Sequence, residues 1–337
     1  MLKLIFESHS FNKVRDEYPK VRDKIVSVII VTCGVRDYLR SCLDSIRKQT
    51  YKNLEIIVID NSLNQDFSRK IAKCYPEIKI YSESVNLFYS GALNKGMRIS
   101  KGDFILCLND DVVLDKRFIQ EALKGFFNDA KVGMVSGKIL RSDRKTVDST
   151  GLYPTLWRTA KERGYGFKDW GQYEKQGYIF GVSGAVAFFR RKMLESVKIG
   201  FDYFDSDFRM FYEDLDIAWR ANLFGWRAYY IPCAIAYHIR GGTARQGEGI
   251  DKPFARRYLS DELHLDLIKN RYLSMIKNES VFDFLVHMPF IFFYDFLTLS
   301  YILFFRPALL KKIPLNLRYL KSALQKRRII KNKRRVG

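Results

Sequence analysis

NLFYSGALNKGMRISKGDFILCLNDD, residues 86–111, carries the pattern that decides the fold. Residues 91–99 read as a helix, Gly102-Asp103 turns the chain, and 104–108 is an apolar strand closed by Asn109-Asp110-Asp111. Acids at the end of a buried strand are costly unless they hold something, and a divalent cation is the usual occupant. About a hundred residues on, Glu213-Asp214-Leu215-Asp216 opens a helical pattern that runs through Trp219 and Arg220. One acidic site can hold a metal while the other accepts a proton, the division of labour required to transfer a group from an activated phosphate ester to a hydroxyl.

Upstream the same design recurs. The β-branched run over 26–32 ends before Gly34 and leads into an amphipathic pattern with Leu39, Leu43 and Ile46 on one side. Residues 54–60 form a second strand ending in Asp60-Asn61-Ser62, and 78–81 a third. Strands alternating with helices predict a mostly parallel, Rossmann-like α/β sheet with ligands at the carboxyl ends of its strands, where Thr32, Asp60 and Asn109-Asp110-Asp111 all fall. Downstream, 141–178 is rich in Gly, Tyr, Trp and charge and reads as long functional loops, with Trp157, Trp170 and Tyr173 able to stack on a sugar ring or to pack beneath a loop. A strand over 181–190, a helix from Lys192, an acidic loop over 201–211 and a last strand over 228–231, which leads through Pro232 to Ala236-Tyr237-His238, follow. This divides the chain into an N-terminal extension (1–25), a first half (26–117), a second half (118–250) and a C-terminal helical, apolar and basic region (251–337), and the family resemblance described next implies nucleotide-sugar binding by the first half and acceptor binding and catalysis by the second.

The order of these signals resembles a family 2 glycosyltransferase of the GT-A fold, within it the bacterial rhamnosyltransferase-like branch, over roughly residues 26–245. The pieces that carry the resemblance are VSVIIVT with YLRSCLDSI, IIVIDNS, the stretch 86–111, VSGAVAFFRRKMLESVKIGFDYFDSDFRMFYEDLDIAWRANLFGW, and AYHIRGGT. It implies an inverting transfer from a nucleoside diphosphate sugar, dTDP-L-rhamnose being the first expectation and UDP-linked hexoses the alternative. Carried over by position, Thr32, Gly34, Asp60, Asn109 and Asp110 would line the nucleotide. Asp111 and His238 would hold Mg²⁺ or Mn²⁺, Asp214 would be the general base, and Glu213, Asp216 and Trp157 would meet the acceptor. Asn109 stands where many relatives have Asp, which removes one charge from the metal site. Asp216 and Arg220 lie four residues apart on a helix, so a structural salt bridge would also account for them.

The 337 residues carry 58 Lys+Arg against 37 Asp+Glu, a formal charge of +21 that suits anionic partners. Eleven of the basic residues, and no acid, lie between Lys311 and Arg335. Ahead of them, 284–305 is nearly continuous apolar sequence, interrupted by His287, Pro289 and Asp295. Its length would permit a spanning helix, but Asp295 in lipid and Pro289 in the first turns favour a helix or broken hairpin lying in the interface, anchored by the basic tail. Five scattered cysteines argue against a disulfide framework or a zinc site. With no apolar run resembling a signal peptide in the first 25 residues, the expected location is the cytoplasmic face of the cell membrane, and the expected acceptor a lipid-linked glycan.

Three rival readings remain. A non-catalytic membrane- or nucleic-acid-binding protein would suit the charge, the 20 Tyr and the 26 Phe, but the basic residues cluster behind an apolar segment and no nucleic-acid motif is present, so no nucleic-acid partner is expected. A processive polysaccharide synthase would carry a Q-x-x-R-W motif and several spanning helices, and neither occurs here. A sugar-nucleotide pyrophosphorylase would want a basic Gly-rich loop near the N-terminus, which Cys33-Gly34-Val35-Arg36 matches poorly.

Overall fold

A computed structural model of the chain describes residues 23–34, 38–240 and 259–336. The N-terminal half alternates strictly: β1 (Val26–Thr32), α1 (Tyr38–Arg47), β2 (Leu54–Asp60), α2 (Gln65–Cys74), β3 (Lys79–Ser82), α3 (Phe88–Ile99) and β4 (Phe104–Asn109). All seven residues of β1 are buried, because it lies between β2 and β4 in parallel register and is covered on both faces. Val28 and Ile30 pack with Leu39, Leu43 and Ile46 of α1, whereas Ile29 and Val31 pack with Ala92, Leu93 and Met97 of α3. Gly34 follows β1 with φ +65°, and a Cβ there would lie 2.8 Å from the Ser62 Cβ, so the turn requires glycine twice over.

The second half adds β5 (Val112–Leu114), α4 (Phe118–Gly125), β6 (Val132–Arg141), β7 (Val147–Ser149), β8 (Leu152–Pro154), β9 (Ala160–Glu162), β10 (Gly177–Ile179), β11 (Val186–Arg190), α5 (Arg191–Val197), α6 (Glu213–Leu223) and β12 (Arg227–His238). One sheet runs through both halves in the order β10-β12-β6-β11-β4-β1-β2-β3, with β5 paired to β12 and β7 to β6. Its β4-β1-β2-β3 side is parallel, as is β6 with β12, while β11 runs antiparallel to both β4 and β6. The strand order reverses around β1, so Thr32 and Asn109 end neighbouring strands at the switch point where open α/β sheets bind ligands.

Three expectations change. The 141–178 stretch is not loop alone: Val147, Asp148, Ser149 and Leu152 are buried, and β8 and β9 form a hairpin. Its polar residues are inside because they are paired with one another and with β12, so composition concealed the burial. β12 continues through Pro232 because a register shift between Ile231 and Ile235 takes the proline out of the ladder. The apolar segment is one helix, α8 (Val281–Phe305), unbroken at Pro289.

α8 follows α7 (Asp261–Asn278), and after two short 3₁₀ turns α9 (Arg318–Val336) completes the described chain. Asp261 pairs with Arg306, His264 lies against Tyr301, and Arg271 pairs with Asp295, so α7 and α8 run antiparallel. α7 and α9 in turn pack beside α6. Nearly all of the proposed 1–25 extension, Gly241-Gly242 and the 250/251 boundary lie outside the described residues.

Candidate active site

Thr32 Oγ1, at the end of β1, donates to Asp110 Oδ2 at 2.6 Å and accepts from the Gly34 amide at 3.1 Å. Burial pushes the Asp110 carboxyl up to about 6, against the relief given by Thr32. Asp60 ends β2 alongside Thr32. It is only 1% exposed, with Oδ1 accepting from the Ser62 amide at 2.7 Å and Oδ2 from the Ser68 hydroxyl. Both bonds shape the turn that follows β2, and a carboxylate that holds two donors keeps lone pairs for a third.

Asp111 and His238 come together across the β5–β12 pairing, with Nε2 of His238 3.1 Å from Oδ1 of Asp111. Nδ1 of the same imidazole lies 2.8 Å from Oδ2 of Asp148, a fully buried carboxylate that also binds Arg240. Burial pulls the imidazole pKa down, but Asp111 and Asp148 on either side outweigh it and lift it to about 9. Asp148 thus fixes which nitrogen faces Asp111. Among the described residues no cluster of three or more His, Cys, Asp or Glu side chains is arranged to hold a metal. A carboxylate oxygen and an imidazole nitrogen suit a cation that completes its shell with phosphate oxygens and water, so these residues fit Mg²⁺ or Mn²⁺ bound together with a diphosphate.

The three acids in the first turn of α6 have three different fates. Asp216 is 1% exposed, bonded to Arg220 (3.1 Å), Lys277 (2.9 Å) and Asn278 (2.8 Å). Its expected acceptor contact is corrected to a structural one, because every approach to it is filled. Glu213 is 7% exposed, its Oε2 has no hydrogen-bond partner among the described residues, and burial with the neighbouring Asp214 charge pushes it up to about 8. Asp214 alone is only half-buried. Its Oδ2 accepts from the Gly184 amide at 3.0 Å and its Oδ1 from the Leu215 amide at 2.7 Å. Burial still raises its pKa against those donors. The backbone ahead is strained: Phe211 and Tyr212 have φ +71° and +68°, a conformation that costs non-glycine residues about 1–3 kcal/mol each. Asn270 of α7 holds it there, donating to the carbonyls of Met210 (2.7 Å) and Phe211 (2.9 Å).

The two acidic clusters are joined by residues the sequence did not single out. The Tyr89 hydroxyl lies 2.8 Å from Asn109 Oδ1 and 2.9 Å from the Gly184 carbonyl, and the Gly184 amide holds Asp214. Asn109 is thereby a link between the clusters. Glu162, at the end of β9, accepts from Ser149 at 2.5 Å and is pushed up to about 8 by burial and by Asp214. It adds a fourth carboxyl to this side of the cleft. Tyr89 sits inside the quoted motif with nothing to distinguish it, and Asp148 and Glu162 fell in the stretch read as loop. Trp157 lies at the β8–β9 turn, where it stacks on Tyr294 of α8 at 6.3 Å and its carbonyl accepts from Arg271 at 2.8 and 2.6 Å.

With this geometry in place, the comparisons with known proteins are direct. The family described as glycosyl transferase family 2 matches residues 27–198, over half of the sequence. The chain belongs to glycosyl transferase family 2. Among relatives of this transferase, glycosyltransferase GlyA of Streptococcus pneumoniae is 29% identical over 175 residues, 46% of this chain and 25% of that protein. The poly-beta-1,6-N-acetyl-D-glucosamine synthase of Staphylococcus epidermidis is 23% identical over 231 residues, 67% of this chain and 52% of that protein. The transferase thus spans about a quarter and about half of their lengths. Among solved structures, the mannosyltransferase PcManGT of Pyrobaculum calidifontis, in complex with GDP-Man and Mn²⁺, has a TM-score of 0.51 at 17% identity, covering 93% of this chain and 84% of that one. At that identity the likeness establishes the GT-A fold. The family match ends at residue 198, so the α6 cluster stands on its geometry.

Proposed function

We propose that this transferase moves a sugar from a nucleoside diphosphate donor to a hydroxyl of a lipid-linked glycan, with inversion, and that Asp214 is the base. The observation that carries the assignment is the contrast within one helical turn: Asp216 is locked in an ion network, Glu213 is buried, and Asp214 is half-buried. Two amides fix its carboxylate, and its raised pKa makes it a better proton acceptor than an ordinary carboxylate. The acceptor oxygen gives its proton to Asp214 as it bonds to the anomeric carbon, and the bond to the nucleoside diphosphate breaks on the opposite side. Asp111 and His238 would hold the divalent cation, which when bound neutralises charge on the leaving diphosphate. Thr32, Gly34, Asn109 and Asp110 line the donor side.

For the donor, the rhamnosyltransferase-like pattern favours dTDP-L-rhamnose, and the N-acetyl-D-glucosamine in a relative's name brings UDP-N-acetylglucosamine into the same panel. The transferase works at a membrane surface. α8 is long and apolar enough to cross a bilayer by length and composition. Its pairing with α7 along one flank, with Asp295 neutralised by Arg271, favours a helix that lies in the interface with its bare flank toward lipid.

The test is a thermal-shift panel of nucleoside diphosphate sugars with and without Mn²⁺, on wild type and Asp111→Ala, followed by transfer assays on Asp214→Asn. One donor should stabilise the wild type only with metal, and Asp111→Ala should lose the effect. Asp214→Asn should keep donor binding and lose transfer by about 10²-fold or more. Full transfer by Asp214→Asn would remove Asp214 from the base role.

A further inference from the structure

A cleft of about 520 Å³ opens between the loop that precedes the base and the C-terminal helices, lined by Phe88, Arg209, Glu262, Leu265, Asp266, Lys269, Lys312, Arg318 and Tyr319. Four cations face two carboxylates. Asp266 is consumed internally, by Arg209 at 2.9 Å and Lys269 at 3.0 Å, and Glu262 stands 3.8 Å from Arg209. Lys312 and Arg318 have no carboxylate within salt-bridge distance among the described residues, and Arg318 rests on the Tyr319 ring and hydroxyl. The wall therefore presents two uncommitted cations beside aromatic and aliphatic surface, a composition that suits a phosphate carried on an amphiphile.

Position narrows the occupant. Arg306, at the carboxyl end of α8, pairs with Asp261 at the start of α7, and Glu262, Leu265 and Lys312 follow on either side, so the cleft lies where the exposed apolar helix ends. On its other side it touches the active site through the chain itself. Arg209 stacks on Phe88, the next residue is Tyr89 that bridges Asn109 to Gly184, and two residues beyond Arg209 begins the strained turn into Asp214. A group seated here would be held at headgroup depth while the rest of its molecule reached the base.

We propose that this cleft binds the phosphate or diphosphate group of a membrane lipid, a reading that rests on the glycosyl-transfer assignment for its link to the acceptor. The phosphate oxygens meet Lys312 and Arg318, with Arg209 and Lys269 behind them, and Leu265, Phe88 and Tyr319 line the remaining walls. Inorganic pyrophosphate carries the same chemistry without the lipid, so the two sources are separable.

The experiment uses the full chain and two probes: inorganic pyrophosphate by calorimetry, and phosphatidylcholine vesicles with or without phosphatidic acid by co-sedimentation. Lys312→Ala with Arg318→Ala is compared with Lys321→Ala with Arg328→Ala, which removes equal charge from exposed positions of α9 outside the cleft. The cleft pair should lose about tenfold or more in pyrophosphate affinity together with the phosphatidic acid increment, and the α9 pair should keep both. The swap Lys312→Arg with Arg318→Lys should restore binding. Equal losses in the two alanine pairs would reduce the effect to general surface charge and overturn the proposal. Pyrophosphate binding with no phosphatidic acid increment would assign the cleft to a soluble phosphate and overturn the lipid assignment. Nucleotide-sugar stabilisation measured on the same variants keeps the two readings apart: it should survive in the cleft pair, and its absence from the wild type alongside intact pyrophosphate and vesicle binding would fell the transferase reading and leave the cleft standing.

Discussion

α7 and α8 are separated by two residues and obey opposite rules. α7 buries polar groups: His264, Asp266, Lys269, Asn270, Arg271, Lys277 and Asn278 are all inside. α8 exposes apolar ones, with Phe282 at 74%, Phe296 at 67% and Phe304 at 76%. Each inversion has a physical cause. The polar groups of α7 are matched to the loop ahead of the base, with Lys277 on Asp205 and Asp216, Lys269 on the Asp207 carbonyl, Arg209 on Asp266, and Asn270 on Met210 and Phe211. Among the described residues nothing covers the apolar groups of α8, which on the reading proposed above meet lipid. On that reading one appendage has two parts, a clamp on the loop before Asp214 and a face for the membrane, and they should fail independently.

The sharpest way to break the comparison is Lys277→Met, which leaves Asp205 and Asp216 buried without their shared cation. It should cost about 3–5 kcal/mol of stability in chemical denaturation while vesicle binding per folded molecule stays unchanged. Next is Phe292→Ser with Phe296→Ser on the bare flank of α8, which should weaken vesicle partitioning by about 2–4 kcal/mol and leave the melting temperature in detergent unaltered. A melting temperature that fell with partitioning would mean the flank is packed against protein. Asn270→Ala removes two hydrogen bonds from the strained turn, for about 1–3 kcal/mol, and should lower kcat while donor affinity holds. The smallest effect is in pH. Burial alone would raise the Asp205 carboxyl, but Lys277 and Lys326 outweigh it and hold it well below the usual range. The clamp's contribution is therefore complete above the unfolded value of about 3.9 and fades as pH falls below it toward the depressed folded value. The difference in melting temperature between wild type and Lys277→Met should shrink in that acid window, and a constant difference would remove Asp205 from the account.

Much of the N-terminal half of the fold was legible in the sequence because it is written in repeating units. Apolar β-branched runs closed by Thr32, Asp60 and Asn109-Asp110-Asp111 can mean little else once helices alternate with them. Asp214 and the Asp216–Arg220 pair were legible from helical spacing. The remainder depends on distant partners that spacing does not encode. Asp148 meets His238 from 90 residues away and Tyr89 meets Gly184 from 95 away. The fate of Asp216 was half visible, since Arg220 is four residues off while Lys277 comes from another helix. Asp60 and Trp157 show what residue type leaves open: the bonds of Asp60 to Ser62 and Ser68 and the contact of Trp157 with Tyr294 are set by the fold.

The left-handed pair Phe211 and Tyr212 bears on how the protein is made. Its restraint, Asn270, lies 59 residues further along the chain, and Lys326, which pairs with Asp205 at 2.5 Å, lies 121 residues beyond its partner. Synthesis delivers the sheet and the donor pocket first and the clamp last. Until α7 leaves the ribosome, the turn before Asp214 lacks the two hydrogen bonds that Asn270 supplies. A chain stopped before Asp261 should bind a donor yet fail to transfer it, which separate binding and turnover assays on such a fragment would reveal. The last helices to be made thus complete the setting of a carboxylate that lies far earlier in the chain.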